Sequence, residues 1–141
     1  MTKTISNSDD GKLAHLAMIQ GVVSRLETNC FTLKALAMTL ATAVLAFMGA
    51  AEKVQWVFSI AGLLPITVFW IMDAQYLRLG RCFRRLYNAV RLNKIEDPFS
   101  MDFRKYAKEE QSVIRIAISW SILWFYASIL IAFLTVTCFL I

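Results

Sequence analysis

Hydrophobic positions in this chain form two kinds of pattern, unbroken runs and periodic stripes. Uncharged runs at Ala35–Ala51, Val54–Met72 and Ile116–Ile141 hold seventeen, nineteen and twenty-six residues. At about 1.5 Å per residue they reach roughly 25, 28 and 39 Å, against a hydrocarbon core of about 30 Å. Three membrane-spanning helices are therefore predicted. The first lengthens comfortably to Phe31 if Lys34 snorkels to the interface, and the third has to tilt or begin among the headgroups.

The stripes lie between these runs. Leu16, Ile19, Val23, Leu26, Cys30 and Leu33 recur at three- and four-residue spacing, which marks one apolar face of a helix. Gly21 interrupts it only weakly, so an amphipathic helix over 12–34 runs directly into the first span. Residues 1–11 are polar and expected to be flexible, with Asp9 or Asp10 capping a helix that starts near Lys12. After Asp73, Leu79, Phe83, Leu86 and Val90 share one side of a helix, and Arg78, Arg81, Arg84, Arg85 and Arg91 take the other. That helix is expected to end near Asp97-Pro98, where proline cannot continue the ladder. Ser100 then offers a cap, with Asp102 in the first turn, for a helix running through Arg115 into the third span.

The predicted organisation is a flexible 1–11, an amphipathic helix over 12–34, two spans within 35–72, a basic helical hairpin over 73–115 and a third span over 116–141. The fold class is thus an all-α membrane protein, three transmembrane helices extended into a cytosolic helical stalk.

Composition supports the membrane assignment and charge orients it. The chain is 58% hydrophobic and 18% charged, too apolar for an ordinary soluble domain. Four basic residues precede the first span, Lys53 alone separates the first two, and ten lie between Met72 and Ile116. The positive-inside rule places the N-terminus and the long loop in the cytoplasm, the Glu52-Lys53 turn and the C-terminus outside, and no extramembrane domain on the outer side. The first run begins more than thirty residues in, behind a polar helix, and reads as a retained span rather than a cleaved signal. Cys30, Cys82 and Cys138 fall at such different levels that a disulfide framework is not expected.

The arginine-rich helix is the first candidate for function. From Tyr76 to Lys94 there are six basic residues and no acid. Topology and attraction to anionic headgroups, about 1 kcal/mol per residue near the surface, explain Arg78 and Arg81. On a helix standing upright, Arg84, Arg85 and Arg91 lie some 16 to 27 Å beyond Asp73. That distance exceeds a Debye length of about 8 Å, whereas guanidinium forks at helical spacing suit phosphate oxygens. Arg78, Arg81, Arg84, Arg85, Arg91 and Lys94 are accordingly the candidate polyanion-binding set. Tyr76, Phe83 and Tyr87 have the chemistry to stack on bases, but their angular position favours core packing.

Pore and gating candidates come from the spans. Asp73 is the acid at the inner boundary, expected to pair with Arg25, Lys34 or Arg115, or else to ring a pore mouth in an oligomer. Ser121, Ser128 and Thr135 repeat every seven residues on one face, and Pro65, just after Gly62, predicts a kink. The first span is rich in small residues, Thr39, Thr42, Ala43, Ala46, Gly49 and Ala50, which suit close helix packing. Catalysis finds no support. His15 is the sole histidine, reads as a polar-face residue and has no partners at metal-ligand spacing; no nucleophile elbow or phosphate-cradling glycine loop occurs. Neither an enzyme, a cofactor nor a metal is expected.

Two stretches carry a resemblance. "KLAHLAMIQGVVSRLETNCFTLKALAMTL" (12–40) and "FWIMDAQYLRLGRCFRRLYNAVR" (69–91) are similar to the two characteristic segments of a family of small helical inner-membrane proteins of bacteria, reading roughly "LexIQxVIxRMxxNSFxLKgWavTL" and "FWxLDaxYLrxERxyRxLYdxVR". The two stretches span 29 and 23 of the chain's 141 residues, and their motifs are structural. Gly80 departs from the pattern, where the family tends to carry an acid. Members sit beside nucleotidyltransferase-like genes in anti-phage loci, and the chain resembles the Hailong-type transmembrane effectors among them. That resemblance implies an oligomeric channel held closed by DNA oligomers, with a nucleotidyltransferase as partner. The expectation is therefore a homo-oligomeric channel or membrane-disrupting effector gated by a nucleotide or DNA oligomer on the basic stalk, against the alternative of a non-conducting anchor that docks a cytosolic protein.

Overall fold

A computed structural model of the chain describes residues 2–50, 56–94 and 99–140. Among them are helices and turns but no strand. The helices are α1 (Thr2–Ala50), α2 (Trp56–Arg91), α3 (Arg104–Glu109), α4 (Val113–Ala117) and α5 (Trp120–Leu140). Three of them, over Asp9–Ala50, Ile60–Arg91 and Trp120–Phe139, are long and apolar enough to cross a membrane. Among the described residues the fold is all-helical, with three helices that fit a membrane by length and composition.

Helices α1 and α2 reach about 74 and 54 Å, far beyond a bilayer core. Each carries an apolar end and a charged end, and each end has its own core. In the apolar half Ala37, Ala41 and Met48 of α1 meet Ile66 of α2 and Ile122, Tyr126, Ile129 and Phe133 of α5. In the charged half Ile19, Val23 and Leu26 pack on Phe83, Leu86 and Val90, closed off by Phe103 and Tyr106. These are the two stripes read from the periodicity. Gly62 marks the tightest crossing in the apolar half, because a Cβ there would meet Val44 Cγ1 at 2.8 Å and Phe133 Cε1 at 3.0 Å. All three spans touch at that glycine.

Three boundaries differ from expectation. α1 begins at Thr2, before the predicted start near Lys12, so the stretch expected to be flexible is helical and Asp9 and Asp10 lie inside the helix. No proline, and no glycine before Gly11, interrupts it. α2 ends at Arg91, where Asn93 adopts φ 54° and the Lys94 N–H donates to the Ala89 carbonyl at 2.9 Å, a left-handed helix stop. Asp97-Pro98 and the Glu52-Lys53 turn lie outside the described residues.

The third boundary matters most. The continuous helix expected from Ser100 into the third span is broken into α3, α4 and α5. Asp102 Oδ1 accepts from the Arg104 N–H to start α3, and Glu110 turns extended (ψ 153°) to end it. Ser112 caps α4 by accepting from the Arg115 N–H. Serines favour such caps over helix interiors, because their hydroxyls compete for backbone N–H groups. Each break frees carbonyls, and α2 supplies the donors. Arg78 Nε donates to Gln111 O at 3.0 Å and Nη2 to Ala107 O at 2.8 Å, while Trp70 Nε1 donates to Ala117 O at 3.0 Å.

Candidate functional site

The basic face of α2 is built as the spacing predicts, with Phe83, Leu86 and Val90 buried and Arg84, Arg85 and Arg91 exposed. Its local excess of charge is nevertheless met from other helices. Arg84 Nη2 pairs with Glu27 Oε1 of α1. Arg85 Nε lies 3.0 Å from Glu110 Oε2, and its Nη1 lies 3.7 Å from Glu109 Oε2. Arg81 Nη1 approaches the other Glu110 oxygen at 3.8 Å. Glu110 is thus a buried carboxylate, 5% exposed, held between two guanidiniums.

The six candidate residues accordingly divide. Arg78 gives two of its N–H groups to backbone carbonyls and has no acidic partner among the described residues. Arg81, Arg84 and Arg85 form ion pairs; Arg84–Glu27 and Arg85–Glu109 are open to solvent and to competition by another anion, whereas Glu110, shared by Arg81 and Arg85, is buried. Arg91 and Lys94 are exposed, and their side chains have no hydrogen-bond or ion-pair partner among the described residues. Lys12 joins this end, donating to the Arg91 carbonyl at 3.1 Å and to Asn93 Oδ1 at 2.8 Å. Tyr76, Phe83 and Tyr87 belong to the core, Phe83 against Phe103 at 5.1 Å between ring centroids.

A second cluster surrounds Asp73, which is fully buried at 1% exposure. Lys34 Nζ sits 2.5 Å from its Oδ2, one of the three expected pairings. Cys30 Sγ lies 3.8 Å from the Asp73 carbonyl, and the Tyr126 hydroxyl of α5 stands beside the carboxylate. Asp73 Oδ1 and the Tyr126 hydroxyl are both buried without a hydrogen-bond partner among the described residues. Trp70 stacks on Tyr126 at 5.8 Å, so α1, α2 and α5 converge on one carboxylate. Burial, reinforced by Asp73, pushes the Cys30 thiol up to about 11. Burial also raises the Cys82 thiol, against the opposing pull of Arg78. In the single chain Asp73 is an internal anchor and does not face an opening.

Ser121, Ser128 and Thr135 are exposed on α5, on the side away from Tyr126 and Phe133. Ser128 Oγ donates to Phe125 O at 2.7 Å and Thr135 Oγ1 to Ile131 O at 2.8 Å, so two of the three satisfy themselves within the helix. Thr39, Thr42, Ala43, Ala46, Gly49 and Ala50 are likewise exposed on α1. Pro65 lies inside α2, lining a cavity of about 320 Å³ in the apolar half with Gly62, Ala43 and Phe47. His15 is not on a polar face: it is 4% exposed, with its ring 5.6 Å from Phe99. The three cysteines are free, and among the described residues no group of His, Cys, Asp or Glu is placed to hold a metal.

Sequence reasoning missed Glu27, Glu110 and Tyr126. The two glutamates carry the same signal as the arginines, charges at the margin of an apolar stripe, but periodicity along one helix does not show which neighbour faces it. Tyr126 was hidden inside an uncharged run. No family model, curated protein or solved structure matches the chain.

Proposed function

We propose that the chain is a homo-oligomeric, ion-conducting effector of the bacterial inner membrane, with its N-terminus cytoplasmic and its C-terminus periplasmic, gated by a polyanion on the cytosolic stalk. The observation that carries this reading is the continuity of α2, one helix from Trp56 to Arg91, which joins the Pro65 region of the membrane half to Arg84, Arg85 and Arg91. A phosphate-rich ligand, a nucleotide or DNA oligomer, competes for Arg84 and Arg85 against Glu27, Glu109 and Glu110 and adds Arg91 and Lys94. Such a ligand biases closed and open states only through its different affinity for them. The exposed Ser121, Ser128 and Thr135 supply a weakly polar line when copies surround an axis.

Arg84→Glu with Arg85→Glu is expected to abolish binding of labelled oligonucleotides by the purified protein, and wild-type binding to fall steeply with salt. Unchanged, salt-insensitive binding overturns the ligand. Induced expression is expected to depolarise cells, with Pro65→Ala or Ser128→Phe altering the effect. The absence of depolarisation with and without the candidate nucleotidyltransferase overturns conduction.

One observation favours the non-conducting anchor instead: the ion pairs of Arg81, Arg84 and Arg85 already balance much of the basic face. That reading predicts a monomer or dimer in detergent, a partner-dependent pull-down and no current. Native mass spectrometry of the protein with co-purified ligand separates the two, since it reports stoichiometry and bound nucleic acid together.

A further inference from the structure

The breaks between α3, α4 and α5 have a second effect besides freeing carbonyls. They hold the chain off α2 and leave a cavity of about 310 Å³, within the usual range of about 300–1,000 Å³ for small-molecule sites. Its walls are chiefly Met72, Leu79, Phe103, Ala107 and Val113, with Cys82 on the α2 side. Polar chemistry is confined to Gln75, Tyr76 and Arg78. Such a space is large enough to hold water against an apolar wall, and a flexible chain of methylenes that takes its place removes that wall from water.

Position says where that chain comes from. Met72 closes the uncharged run of the second span, and Val113 stands three residues before the run that begins at Ile116. Beside Val113, Ile114 is 77% exposed and Trp120 80% exposed, with Arg115 also exposed between them. Bare isoleucine and tryptophan next to arginine suit the headgroup layer, where indole rings and basic side chains concentrate. The cavity therefore adjoins a lipid leaflet.

Charge selects the head. Arg78 is the only ionised residue among those lining the cavity. Its Nε and Nη2 each give a proton to a backbone carbonyl, which holds the guanidinium fixed. Arginine carries five N–H donors, so three remain for an anion at the rim. A carboxylate or phosphate met by a pre-positioned guanidinium forms charge-assisted bonds without the usual loss of rotamer freedom.

We infer that this cavity binds an anionic amphiphile, one acyl tail between α2 and α3 with its carboxylate or phosphate against Arg78. The site is complete in one chain and requires neither a second copy nor conduction.

The test uses the full chain in detergent, titrated with hexadecanoate, with hexadecanol as the uncharged tail and with phosphatidylglycerol as the phosphate-bearing form, read by native mass spectrometry. Wild type is expected to take one hexadecanoate per chain, about tenfold more tightly than hexadecanol, the worth of one charge-assisted hydrogen bond. Arg78→Gln is expected to erase that preference while hexadecanol still binds, which shows the cavity intact. Ala107→Leu, a modest filling, is expected to weaken both ligands, and Ala107→Trp to remove them; if the tryptophan variant fails to fold, the leucine variant decides. Displacement of hexadecanoate by phosphatidylglycerol assigns the head to a phospholipid, and failure to displace assigns it to a free fatty acid; either supports the site. Binding unaffected by Ala107→Leu, or equal affinity of wild type for the acid and the alcohol, overturns it.

Discussion

Lys34 Nζ lies 2.5 Å from Asp73 Oδ2, where the charged and apolar halves of the bundle meet. The carboxylate is buried and the ammonium is 28% exposed, so the two ends of the pair are unequal. Removing the lysine strands a charge that water cannot reach. Breaking a fully buried pair costs about 3–5 kcal/mol, and the partial exposure of Lys34 puts Lys34→Met near the lower end. Replacing both, Lys34→Met with Asp73→Leu, should recover most of that loss. Thermal unfolding of wild type, Lys34→Met and the double variant in one detergent checks it; a double variant as unstable as Lys34→Met alone refutes the account.

Glu27 holds Arg84 across the gap between α1 and α2. If a polyanion takes that guanidinium, it must first displace Glu27. Glu27→Gln should therefore strengthen oligonucleotide binding roughly 3- to 10-fold while changing stability by less than about 1 kcal/mol, as befits an exposed pair. Fluorescence anisotropy at fixed salt reads the first and a melting curve the second.

Gly62 has no room for a methyl group between Val44 and Phe133. Gly62→Ala should destabilise the apolar half by about 1–3 kcal/mol despite the better helix propensity of alanine. Gly21, where a Cβ meets nothing within 4 Å, is the control. Gly21→Ala should leave stability equal or slightly raised.

Cys30 offers a pH-dependent reporter of the Asp73 cluster. The thiolate is the reactive form, and burial with the nearby carboxylate pushes the thiol up to about 11. Its alkylation by iodoacetamide should keep rising about tenfold per pH unit past pH 9, where an ordinary thiol of pKa about 8.5 has levelled off. Asp73→Asn removes the second cause and should speed the reaction at pH 8. Peptide mass mapping resolves Cys30 from Cys82 and Cys138.

What the sequence made legible follows from how far each interaction reaches along the chain. The spans, the stripe of Ile19, Val23 and Leu26 and the two faces of α2 are properties of single helices, and periodicity finds them. The Lys34–Asp73 pairing was within reach as one of three options, because few cations lie at that depth. Arg78 is the opposite case. Its partners are the carbonyls of Ala107 and Gln111, free only because the chain breaks at Glu110, and backbone carbonyls leave no mark in a sequence. The break itself rests on Ser112 and on the extended turn at Glu110, each a weak local preference that tertiary contacts decide.

The length of α2 sets a mechanical ratio. Between Pro65 and Arg91 lie twenty-six residue steps of unbroken helix, about 39 Å. A tilt of about 5° at the proline thus displaces the arginine end by roughly 3 Å, about the length of a hydrogen bond. Displacement applied at the arginine end is reduced in the same proportion at the proline. The helix works as a lever arm, and ångström-scale motion among the ion pairs corresponds to a change of only a few degrees within the membrane.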